Sequence, residues 1–102
     1  QLPDGYPAKE AMVDFATRYQ AKYNEPTSLF AGLGFDSARI LLEGLKAGVD
    51  DKAKIRDAIE GLQNLPVSQG FVNFSPNDHQ LHGGYDSWQA VAGAFKFVRT
   101  LN

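Results

Sequence analysis

Val67-Ser68-Gln69-Gly70-Phe71-Val72-Asn73-Phe74-Ser75-Pro76-Asn77-Asp78 is where the pattern of the chain changes, and its reading decides the fold. From Val67 to Phe74 apolar residues alternate around Gly70, as they do in a pair of half-buried strands. Ser75-Pro76-Asn77-Asp78 then gathers turn-forming residues. Upstream of this stretch apolar residues recur at three and four; downstream they alternate. The order is helices followed by short strands, an α/β class.

Working back from Val67, Ile55, Ala58, Ile59 and Leu62 predict a helix over about residues 52–63, capped by Asp50 or Asp51. Lys52, Lys54 and Arg56 read as its solvated side. Before it, Phe30, Leu33, Ser37, Ile40, Leu41 and Leu45 share one broad face of a helix over 29–47, with Thr27 or Ser28 as cap and Gly48 as stop. Gly32 and Gly34 each cost about 1 kcal/mol inside a helix. They leave open a short extended segment, with the helix starting near Asp36. Residues 1–6 are a turn-rich entry, and Pro7 suits a first helical position. Met12, Phe15, Ala16, Tyr19 and Tyr23 predict a helix over 8–24, ended by Asn24 and Pro26.

Working forward, residues 75–84 read as a loop closed by Gly83-Gly84. Ser87 to Ala92 and Ala94 to Thr100 read as a hairpin joined at Gly93. Three amphipathic helices need an apolar surface to cover, and this chain supplies little sheet. The expectation is that partner strands lie in sequence beyond these residues.

Composition narrows the function. With 102 residues, 43 % of them hydrophobic, the chain suits one modest domain and not disorder. Ten basic and twelve acidic residues give a net charge of −2, with no basic stripe, which argues against nucleic acid as a partner. The absence of Cys excludes disulfides and thiol catalysis. No apolar run is long enough to span a bilayer. The chain opens on Gln1, so a leader removed or a longer protein is expected.

Candidate chemistry is sparse. Gly32-Leu33-Gly34-Phe35-Asp36-Ser37 begins like a dinucleotide fingerprint, but Ser37 stands at the third glycine and no useful strand precedes it. Close backbone packing, or space left for a neighbour or ligand, explains the glycines better. His79 and His82 sit in a polar loop beside Asp78 and Asp86, without the fixed geometry a metal site requires. No nucleophile elbow is present, and Asp50, Asp51, Asp57 and Glu60 lie on or before an exposed helical face. Catalytic residues, metal and cofactor are therefore all read as none. Phe30 and Phe35 suit either a core or the wall of a cleft near a helix start, where anionic groups are favoured.

Four stretches together resemble a known family. Phe15-Ala16-Thr17-Arg18-Tyr19-Gln20-Ala21-Lys22-Tyr23-Asn24-Glu25-Pro26 is similar to its "F…Y…KYG-x-P" helix, with Asn24 in place of Gly. Gly34-Phe35-Asp36-Ser37-Ala38 resembles its "YDA" signature, and Ile55-Arg56-Asp57-Ala58 its "IRDAL" helix. Gly70-Phe71-Val72-Asn73-Phe74-Ser75-Pro76-Asn77-Asp78-His79 resembles its "G…F…ND" turn. The family is the type I periplasmic substrate-binding proteins of ABC transporters, the leucine/isoleucine/valine group.

The resemblance implies the C-terminal part of a two-lobed fold that closes on a ligand. Residues 1–82 would complete the first lobe, and 83–102 would form a terminal hairpin returning to the second. It implies Phe30, Gly34 and Phe35 at the ligand. Phe30 stands where leucine-type members place a pocket aromatic, and Phe35 replaces the signature Tyr, whose hydroxyl is lost. The ligand would be a branched-chain or other amino acid, or an aromatic acid, delivered to an ABC permease. The location would be the periplasm, or outside the cell on a lipid anchor in a Gram-positive organism, after export by a signal peptide. Either the remainder of the same protein or a swapped second copy would complete the sheet. The alternative is a free-standing α/β interaction module that shares strands in a homodimer.

Overall fold

The computed structural model describes residues 2–80 and 85–101. Three helices come first: α1 (Lys9–Tyr23), α2 (Leu29–Leu45) and α3 (Lys52–Glu60). Two hairpins follow, β1 (Leu65–Val67) with β2 (Gly70–Val72), and β3 (Tyr85–Val91) with β4 (Ala94–Leu101), each an antiparallel two-stranded sheet.

The helix ends follow local chemistry. Ser28 Oγ accepts from Ala31 N–H at 3.2 Å, so α2 begins at Leu29 and the extended start near Asp36 is not adopted. Asp51, not Asp50, caps α3, its Oδ1 accepting from Ala53 and Lys54 N–H at 2.9 and 3.1 Å. That helix ends at Glu60, three residues before the expected end. Leu62 N–H instead donates to the Ile59 carbonyl, three residues back, in a tighter closing turn. Pro7 is not the first residue of α1, which starts at Lys9 behind Ala8 at φ 57° with no side-chain cap. Asn24 stops α1 at φ 55°, donating its N–H to the Gln20 carbonyl at 2.9 Å. Asn tolerates this left-handed conformation where Gly is commoner.

The first hairpin begins at Leu65, two residues earlier than expected, and includes Pro66. Pro66 pairs with Phe71, flanked by the Val67–Gly70 and Leu65–Val72 pairs. With Ser68-Gln69 as the two-residue loop, Pro66 falls at a non-hydrogen-bonded pair, where its missing N–H costs the ladder nothing. Side chains then fasten the hairpin to the end of α3. Gln63 Nε2 donates to the Phe74 carbonyl at 2.7 Å, and Asn64 N–H donates to Asn73 Oδ1 at 2.8 Å. Ser75 and Asp78 close the expected turn with reciprocal backbone bonds of 2.9 and 3.1 Å.

The core lies between this hairpin, α2 and α3. Val67, Val72 and Phe74 are buried, with Ile40, Ile59, Leu62 and Leu65 packed around them. It is small. Among the described residues fourteen large hydrophobic side chains stay exposed, against four buried apolar ones. The surface is 7571 Å², where a closed monomer of 11.2 kDa exposes roughly 5,700 Å². The radius of gyration is 15.7 Å, against about 13 Å for a compact chain of this length. This polypeptide does not close a core of its own.

The second hairpin stands apart from the helices. Ala92 and Gly93 both have positive φ, 50° and 79°, which is the type I′ turn that suits a two-residue hairpin loop. The register shifts between Ser87 and Trp88, so β4 carries one extra residue, Val98. Tyr6 joins the hairpin to the entry segment: its hydroxyl donates to Asp86 Oδ2, and its ring meets Phe97 edge-on at 5.7 Å.

Candidate functional site

The site is organised by α2, whose 17 residues present different chemistry on different faces. Along one face run Gly32, Asp36, Ile40 and Gly44, four residues apart and therefore stacked one turn above another. Gly32, Asp36 and Gly44 are buried. A Cβ on Gly32 would lie 2.6 Å from Ser68 Oγ, and one on Gly44 2.8 Å from Ile59 Cγ1. The two glycines let the β1–β2 loop and α3 approach the helix backbone.

Asp36 fixes that approach. It is 3 % exposed, and its two oxygens accept from Ser68 N–H at 2.7 Å and Ser68 Oγ–H at 2.9 Å. The bond spans 32 residues and holds the loop of the first hairpin against α2. Sequence reasoning placed Asp36 inside a motif but missed this role. The available signal was a carboxylate in register with Gly32, Ile40 and Gly44 on an otherwise apolar or small face.

Phe30, Gly34, Ser37 and Leu41 form a second stripe, exposed along its length. Phe30 is 81 % exposed, and among the described residues nothing lies within 4 Å of a Cβ built on Gly34. Ser37 turns its hydroxyl back to the Leu33 carbonyl at 2.8 Å, so the stripe is largely apolar. The two glycines of the Gly-x-Gly stretch thus divide the two readings between them. Gly32 is close packing; Gly34 is open space.

Phe35 is not on that stripe. Five residues from Phe30, it is turned about 140° around the helix axis. Its ring packs on Phe15 of α1 with centroids 4.7 Å apart. The structure therefore brings Phe30 and Gly34 together and places Phe35 on the side of α2 that carries α1.

Among the described residues the histidine loop supplies no comparable cluster. His79 Nε2 is 3.1 Å from Glu60 Oε1, tying the loop to the end of α3, and its ring lies 6.3 Å from that of Phe74. His82 lies outside the described residues. Among the described residues no group of three or more His, Cys, Asp or Glu side chains is placed to hold a metal. Among them, too, no helix is long and apolar enough to cross a membrane.

Comparison with known proteins places this arrangement. A solved structure of a leucine-binding protein, LivK, from Thermotoga maritima has the same fold, with a TM-score of 0.73 over 95 % of this chain at 24 % identity. The match takes in 29 % of that protein's chain, so the present chain spans under a third of its length. No curated protein matches the sequence. The family profile described as periplasmic binding protein matches residues 3–94. With that match over nearly its whole length, and three helices and short strands that reproduce part of the type I fold, this chain belongs to the periplasmic binding protein family.

Proposed function

We propose that this chain is the C-terminal portion of a non-catalytic solute-binding protein that takes up a small amino acid or related carboxylate between two lobes. The loaded protein would then deliver its ligand to an ABC permease from the periplasm. Residues 1–82 complete one lobe, and the hairpin within 83–102 returns to the other. The observation that carries this reading is the bare stripe of α2, with Phe30 81 % exposed at the capped end of the helix. Beside an open glycine, an aromatic ring is a good wall for an apolar side chain. The start of α2 beside it favours the ligand's carboxylate, because unpaired N–H groups and the helix dipole converge there. A leucine-binding protein of the same fold supports an aliphatic amino acid as the ligand class.

The test is calorimetric titration of the product of the complete reading frame with leucine, isoleucine, valine and phenylalanine. Saturable binding of one of them, weakened roughly 10- to 100-fold by Phe30→Ala, is the expected result, since burial of a Phe side chain is worth about 1.5–3 kcal/mol. Binding indifferent to Phe30→Ala would remove the α2 stripe from the site, and no binding to any of the four would remove the amino-acid reading.

One observation favours the strand-sharing dimer as a second reading. Neither outer edge of β3–β4 pairs with another described strand, and Phe95 and Val98 are exposed on β4. The reading frame upstream of Gln1 decides between them: a start codon directly before Gln1, with a stable dimer in light scattering, supports the module, and a continuous upstream frame supports the lobe portion.

A further inference from the structure

The C-terminal half of α1 and the first turns of α2 enclose an open cavity of about 390 Å³. Its floor is aromatic. Phe15, 8 % exposed, stacks on Phe35 at 4.7 Å, Tyr19 joins Phe15 at 5.9 Å, and Tyr23 joins Tyr19 at 4.7 Å. Its rim carries two cations, Arg18 and Lys22, four residues apart and so on one face of α1. Among the described residues no acidic side chain lines it, and the Tyr19 hydroxyl at its edge donates to Glu25 Oε1 at 3.3 Å. Arg18 is held by Asp14 across 3.3 Å, with both side chains more than half exposed, a pairing worth little in water. Lys22 Nζ lies 5.4 Å from the centre of the Tyr23 ring. The larger groove between the entry segment and the first hairpin, about 920 Å³, offers no such combination. Its one cation among the described residues, Lys9, is paired with Asp4 at 2.8 Å, and Glu10 and Asp14 share its wall.

We propose that the α1–α2 cavity is a second binding site, selective for a small planar aromatic carboxylate. The ring lies against the aromatic floor, and the carboxylate sits between Arg18 and Lys22. The volume falls within the roughly 300–1,000 Å³ of small-molecule pockets. Aromatic walls favour an edge-on or offset ring, and a guanidinium beside an ammonium matches the two oxygens of a carboxylate. The site is distinct from the Phe30 stripe, because it uses the Phe35 side of α2. It does not depend on what the stripe binds.

Benzoate titrated into the product of the complete reading frame, followed by NMR of the Tyr and Phe rings, tests the proposal. The expected result is a saturable shift of Tyr19, Tyr23 and Phe35 signals that weakens as salt rises from about 20 to 300 mM. Arg18→Gln and Lys22→Gln should each weaken binding roughly three- to tenfold, whereas Lys22→Arg should retain it. Neutral benzamide, nearly the same shape, should bind about tenfold more weakly or worse. Preserved amide dispersion in the Gln variants separates lost binding from lost fold. Absence of a saturable shift, equal binding of benzamide, or unchanged affinity in both Gln variants overturns the anion site. Displacement of benzoate by leucine in the complete protein overturns its independence from the cleft.

Discussion

At the scale of single residues, Asp36 and the two glycines beside it carry the sharpest consequences. Asp36→Ala leaves the Ser68 N–H and hydroxyl without their acceptor in a site that is 6 % exposed. We expect a loss of about 2–3 kcal/mol in urea unfolding, with Asp36→Asn costing less because one amide oxygen still accepts. Gly32→Ala and Gly34→Ala should move stability in opposite directions. Both gain about 1 kcal/mol of helix propensity. At Gly34 nothing opposes that gain, and the melting temperature should rise by a few degrees. At Gly32 the new methyl meets Ser68 Oγ at 2.6 Å, a group that Asp36 already holds in place. The clash should cost about 1–3 kcal/mol and reverse the sign. The glycines were legible in the sequence as special positions, but which of them was packed and which was open was not. That depended on Ser68, a partner 36 residues from Gly32 that no local pattern connects to it.

At the scale of elements, the ends and turns show what local chemistry reveals and what it conceals. The three helices, the change to strands after the third and the terminal hairpin all follow from apolar spacing, and Ser28, Asp51 and Asn24 mark helix ends as their types suggest. The start of β1 was concealed because Pro66 argues against a strand, and only the pairing register shows that its missing N–H is not needed. The start of α1 was legible to within one residue, although Ala8 caps nothing. The terminal turn carries a correctable fault. Ala92 sits at φ 50°, where an L-residue with a plain methyl is strained by about 1 kcal/mol. Ala92→Asn supplies the Asn-Gly pair that a type I′ turn prefers, and should raise the midpoint of hairpin unfolding by several degrees in a thermal scan followed by NMR. Phe30 was expected at the ligand from its place in a motif, and its role as a cleft wall is a proposal. The α1–α2 cavity had no signal, because in a helical repeat the aromatics of a core and those that line a cavity look alike.

At the scale of the whole molecule, Tyr6 ties the entry segment to the terminal hairpin among the described residues. Burial, reinforced by the hydrogen bond and the negative charge of Asp86, pushes the Tyr6 hydroxyl up to about 12. The neutral form is the one that donates, so the tie is intact below about pH 10, the ordinary value for Tyr, and is lost as pH rises through about 12. Hydrogen exchange of hairpin amides near Asp86, compared with that of α2, should show selective loosening over this window. Tyr6→Phe keeps the ring on Phe97 but removes the donor; it should loosen the same amides at neutral pH and abolish the alkaline step. Loosening spread evenly over α2 and the hairpin would show instead that the two unfold together. The same geometry gives the chain an optical reporter of its own. Trp88 is its one tryptophan, set edge-on to Phe97 at 5.5 Å and 43 % exposed on the hairpin. Indole emission therefore registers the hairpin alone, while far-ultraviolet dichroism is dominated by the three helices. A tryptophan transition that precedes the dichroism transition on heating means the hairpin parts first; superimposed transitions mean that helices and hairpin melt as one.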